Sequence, residues 1–217
     1  MEAKIYKSDW RDTTENHNYQ CWSTFKNTDD SFGVLRVFNE EHLSANASIS
    51  HKVSSDVQIM LIPIMGGIDF EFDNQKGFVH INQLQVFNLR QGQSFKIFNP
   101  YEKELVRYFY VQFDSDSEVD SFQNEFDLSN KNTLISIFKN KNVTAFLGIY
   151  DGRAEENFSL SSPENGLFTF IIQGAFEFQN RLLESGDALH LIGNNTIEFE
   201  SLSENAMLLI LEITNIQ

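Results

Sequence analysis

Ile64-Met65-Gly66-Gly67-Ile68-Asp69-Phe70 and Ile172-Gln173-Gly174-Ala175-Phe176-Glu177-Phe178 read as two copies of one strand-turn-strand unit. In both, an apolar residue leads into a glycine-containing turn, after which apolar and acidic residues alternate in step. Alternation of period two gives a strand one dry face and one wet face, as with Ile68, Phe70 and Phe72 against Asp69, Glu71 and Asp73. The correspondence continues downstream. Residues 84–87 match 188–191, Phe95-Lys96-Ile97 matches Ile197-Glu198-Phe199, and 108–113 match 208–213. The offset drifts only slightly, as hairpin loops of different length produce, so the pattern is that of a tandem duplication.

Further strand-like runs complete the two series. The first holds 34–38, 58–64, 84–89, 95–98 and 108–113; the second holds 146–150, 167–172, 175–178, 188–192, 196–200 and 208–213. Turn chemistry at Asn74, Gly77, Asn180, Gly186-Asp187 and 193–195 separates them. Many short strands at this spacing predict an all-β sandwich or barrel, one per series. The acidic stretch 114–120 has low strand propensity and predicts a linker over 114–130, between barrels at 1–113 and 131–217. Val119, Phe122 and Phe126 fall at helical spacing, which predicts a short helix over 119–126.

Composition excludes several classes. A net charge of −15 with pI near 4.6, and no basic stripe, opposes direct binding to nucleic acid. No apolar run approaches the roughly 20 residues of a membrane span, and the first residues lack a signal-peptide core, so a cytoplasmic protein is expected. Cys21 is the single cysteine and fits a buried, inert thiol in a reducing compartment. No nucleophile elbow, phosphate-binding glycine loop or paired metal-ligand histidines are present.

Phe32-Gly33-Val34-Leu35-Arg36-Val37-Phe38-Asn39-Glu40-Glu41 resembles the segment that opens the first barrel of pirin-like proteins. Leu182-Leu183-Glu184-Ser185-Gly186-Asp187-Ala188-Leu189 resembles the turn of their second barrel, and Gln85 and Phe98-Asn99-Pro100 extend the match. The resemblance implies two tandem cupin barrels (double-stranded β-helix, or jelly-roll), a bicupin. It also implies a metal, typically iron, held in the first barrel by a His-x-His pair, a later His and a Glu two residues beyond it. Carried over, those ligands fall on Lys52, Ser54, Phe95 and Ile97, which are not normal ligands for such a metal. The second repeat has Ile197 and Phe199 at the corresponding positions.

The expectation is therefore a bicupin that has lost its metal site and needs no cofactor, with quercetinase-type activity not expected. With 21 Phe residues, it is read as binding a small apolar ligand or a protein partner. Two alternatives stand beside this: a metal-dependent dioxygenase with a relocated site using His51, His80 or His42, and a structural or assembly protein. His51 lies one residue from a ligand position, where a slip of one residue would turn it to the other face of its strand.

Overall fold

The computed structural model describes residues 2–26, 30–115 and 121–216. In the first half the strands are β1 (Glu2–Tyr6), β2 (Asp12–Asn16), β3 (Tyr19–Ser23), β4 (Leu35–Leu43), β5 (Ser48–Lys52) and β6 (Val57–Met65). They continue with β7 (Ile68–Phe72), β8 (Gln75–Val79), β9 (Gln83–Leu89), β10 (Ser94–Phe98), β11 (Val106–Asp114) and β12 (Phe122–Glu125). The second half adds β13 (Ile135–Lys139), β14 (Val143–Tyr150), β15 (Glu155–Ser159), β16 (Gly166–Gln173) and β17 (Ala175–Phe178). It closes with β18 (Arg181–Glu184), β19 (Ala188–Ile192), β20 (Thr196–Ser201) and β21 (Ala206–Ile213).

Sheet order makes the duplication explicit. One barrel combines the sheets β12-β9-β6-β11-β4-β3-β2 and β5-β10-β7-β8; the other combines β1-β19-β16-β21-β14-β13 and β15-β20-β17-β18. The order β9-β6-β11-β4 recurs as β19-β16-β21-β14, and β5-β10-β7-β8 recurs as β15-β20-β17-β18. Each pair of sheets closes over its own apolar core, one around Ile59, Phe87 and Tyr108 and the other around Phe176, Leu189 and Ile197. Complete burial of such side chains is worth ~1.5–3 kcal/mol each, which is why the apolar register is shared by both copies.

The compact units interleave along the chain. The unit holding the second core takes in 1–11 and 32–34 as well as 126–217, and the other comprises 12–31 and 35–125. A barrel read as residues 1–113 does not anticipate this exchange: β1 pairs with β19, Glu2 opposite Ile192 and Tyr6 opposite Ala188. In the other unit β12 occupies the equivalent edge, pairing with β9. The helix predicted over 119–126 is thus corrected to a strand across Phe122–Glu125, while Val119 lies outside the described residues. The unpaired backbone groups of the β9 edge supply hydrogen bonds that outweigh helical spacing in so short a segment. Most of the acidic stretch 114–120 also lies outside the described residues.

One turn chemistry recurs in both units. At Gly186-Asp187, the glycine has φ +86°, the Asp187 N–H donates to the Glu184 carbonyl, and the Asp187 carboxylate accepts the Glu184 N–H at 3.0 Å. Asn82-Gln83 repeats this, with Asn82 at φ +67° and the Gln83 amide oxygen accepting the His80 N–H at 2.9 Å. Gly92-Gln93 does so again, with the Arg90 N–H donating to the Gln93 side chain at 2.7 Å. The departure from Gly-Asp in the first repeat therefore preserves the turn: Asn tolerates the left-handed region and Gln supplies the same acceptor.

Asp187 additionally accepts from Lys7 Nζ and from the Ser8 N–H at 2.8 Å, with its carboxylate fully buried. It thereby fastens the segment following β1. Asp187→Ala is expected to destabilise the protein by about 2–4 kcal/mol, because Lys7 and the backbone N–H groups of Ser8 and Glu184 lose their shared buried acceptor. Urea denaturation checks this; a loss below about 1 kcal/mol, the worth of one ordinary hydrogen bond, would contradict the anchoring role.

Candidate functional site

In an antiparallel pair, residues directly opposite one another point to the same face. Phe95 lies opposite His51, and Ile97 opposite Ile49. Phe95 and Ile97 are 2% and 0% exposed and belong to the first core, so His51 and Ile49 face inward with them. Lys52 and Ser54 are exposed, and Lys52 pairs with Ser94 on the outer face. The structure thus separates the four positions taken from the resemblance: two point inward and are apolar, and two point into solvent. On β5 the inward position is His51.

The other two histidines do not converge on it. His42 lies on the outer face of β4, against the Trp22 ring at 4.6 Å and 3.2 Å from Glu40 Oε1. His80 is exposed in the turn after β8, edge-on to Phe78.

A residue not singled out by sequence reasoning joins His51 inside the barrel. Glu41, on β4, is fully buried, its Oε2 accepting from Tyr108 Oη at 2.7 Å and lying 3.2 Å from His51 Nε2. Asn39 Nδ2 donates to Oε1 at 3.3 Å. His51 Nε2 approaches the carboxylate without the alignment of a directed hydrogen bond. Burial pushes the Glu41 carboxyl up, but the charge of His51 and the bonds from Tyr108 and Asn39 outweigh it and hold the group below the usual carboxylate range. The same carboxylate, after burial itself, raises the phenols of Tyr19, Tyr108 and Tyr110, keeping them protonated as donors. The His51 ring stacks against both Phe95 at 5.2 Å and Tyr110 at 4.7 Å, and those two rings face each other at 6.3 Å, so the three form a cluster.

This donor set does not fit a metal centre. Glu41 and His51 supply two donors, the nearest barrel positions are Phe95 and Ile97, and among the described residues no three or more His, Cys, Asp or Glu side chains group to hold a metal ion. An iron or nickel site needs more ligands than this pair provides.

Between the β7–β8 hairpin and the β9–β12 edge of the same barrel lies a cavity of 410 Å³. Phe70, Phe72, Phe87 and Phe122 line it together with the polar side chains of Asp73, Gln75, Gln85, Ser121 and Gln123. Phe70 and Phe72 meet Phe87 in edge-to-face contacts at 5.0 and 5.4 Å, which fixes their rings. Phe70 also lies over Gly77, its cross-strand partner; a Cβ there would stand 2.5 Å from the ring, so the glycine makes room for it. Gln123 donates to the Phe78 carbonyl at 3.0 Å and to Gln83, tying β12 across the hairpin.

Residues 129–213 match the family described as the quercetinase C-terminal cupin domain. No curated protein matches the chain in sequence. Among solved structures, YhhW from Escherichia coli aligns with a TM-score of 0.86 at 15% identity, covering 100% of this chain and 99% of that one. The same bacterial pirin in complex with nickel(II) aligns at 0.85 and 15%, covering 99% of this chain and 100% of that one. A quercetin 2,3-dioxygenase from Acinetobacter baumannii aligns at 0.78 and 12%, covering 99% of this chain and 80% of that one. At these identities the likeness establishes the fold: this chain has the pirin-like bicupin architecture, without a metal-coordinating cluster among its described residues.

Proposed function

We propose that this pirin-like bicupin is a binding protein that works without a metal and takes a small, largely apolar ligand at the mouth of its first barrel. The observation that carries the reading is the cavity lined by Phe70, Phe72, Phe87 and Phe122, beside a barrel interior closed by the Phe95–His51–Tyr110 cluster. Its 410 Å³ falls within the range of ~300–1,000 Å³ usual for small-molecule sites, and four phenylalanines share its lining with polar side chains that can orient a ligand. Among the described residues, no helix is long and apolar enough to cross a membrane. A cytoplasmic location agrees with the single, buried cysteine Cys21, and the charge of −15 speaks against a nucleic-acid partner.

Indole is a suitable probe, being planar and nearly apolar. It is expected to bind with one-to-one stoichiometry by calorimetry, and Phe72→Ala should weaken binding about fivefold or more through lost ring contact. Absence of indole binding, or binding unchanged in Phe72→Ala, would contradict the proposal.

A further inference from the structure

The charge around the cavity narrows the ligand class. Asp73 is the only charged side chain among the described residues that line it, and no Lys or Arg does. The hairpin's lysine, Lys76, is directed elsewhere, 3.6 Å from Glu71 and lining a separate cavity with Asp69, Phe78 and Phe98. Four phenyl rings beside one carboxylate match an organic cation: ring faces attract positive charge, and the carboxylate supplies its counter-ion. A chain charge of −15 also raises the local concentration of cations and repels carboxylates and phosphates.

Resting on the binding reading above, we infer that the ligand of this cavity is an organic amine, protonated at neutral pH and carried on a planar apolar body. The body packs among Phe70, Phe72, Phe87 and Phe122, while the ammonium group reaches Asp73 at the hairpin tip. Asp73 sits at φ +49° and Asn74 at φ +61°, a two-residue turn that holds the carboxylate at the cavity rim. Asn adopts this conformation as readily as Asp, so Asp73→Asn removes the charge and leaves the hairpin intact.

Three probes share the indole ring and differ in charge: tryptamine, tryptophol and indole-3-acetate. In calorimetry at physiological salt, tryptamine is expected to bind about five- to tenfold tighter than tryptophol, with indole-3-acetate weakest. In Asp73→Asn, tryptamine should fall to within about twofold of tryptophol, whose own affinity stays unchanged. Tryptophol or indole-3-acetate binding as tightly as tryptamine, or a tryptamine preference that survives Asp73→Asn, would overturn the cation assignment and leave the cavity reading standing. If none of the three binds, or if Phe72→Ala affects none of them, the cavity reading fails and this inference with it.

Discussion

His51→Leu is expected to cost about 3–5 kcal/mol of stability, because it strips a fully buried carboxylate of its counter-charge. Tyr108 and Asn39 still donate to Glu41, but they do not replace the basic ring 3.2 Å from its carboxylate. Combining His51→Leu with Glu41→Gln, which keeps an acceptor for Tyr108 and removes the charge, should recover about 2 kcal/mol of the loss. The sign of the pH dependence follows from the lowered Glu41 pKa. A carboxyl whose folded value lies below its unfolded one contributes stability above the unfolded value, about 4.3, and loses it as pH falls through the folded value. The stability difference between the parent and Glu41→Gln should therefore be present at pH 7 and shrink in acid. Urea denaturation of the four proteins measures all of this, and a double variant no more stable than His51→Leu would show that the two residues are not coupled.

Phe95→His is expected to convert the pair into a metal site. Phe95 lies opposite His51 on the adjacent strand with the rings 5.2 Å apart, so an imidazole there joins His51 and Glu41 as a third inward donor. Without metal, the substitution should cost about 2–4 kcal/mol in lost packing and an unsatisfied polar group. Nickel(II) at about a hundred times its dissociation constant should return about 2.7 kcal/mol by binding the folded state, visible as a rise in melting temperature that the parent does not show. A folded variant whose melting temperature ignores nickel would mean that the three side chains do not converge.

The tandem architecture was legible because its signal is redundant: apolar and acidic residues alternate in both copies, and a glycine turn joins the successive strands β6 and β7 as it joins β16 and β17. Glu41 was hidden for the opposite reason. The end of β4, Asn39-Glu40-Glu41-His42, is polar on both faces, so neither alternation nor apolar content marks it as strand, and the burial of Glu41 depends on partners from β5 and β11. The direction of His51 turned on a single residue of register. Carrying the ligand positions over from the resemblance placed Lys52 inward, whereas pairing with β10 fixes His51 there. The edge strands β1 and β12 were missed because their hydrogen bonds are made to distant segments, which local propensity does not record. The Phe-lined cavity was foreshadowed only by the count of phenylalanines; which of them meet depends on the closure of two sheets.

The central claim is that the interior of the first barrel is a packed core holding a compensated Glu41–His51 pair and not a metal centre. Elemental analysis of protein purified without a metal-binding tag, then titrated with nickel(II) and iron(II), tests it most directly. The account predicts bound metal far below one ion per chain and a melting temperature unmoved by either ion. Near-stoichiometric metal that is retained through dialysis and lost in Glu41→Gln would contradict it.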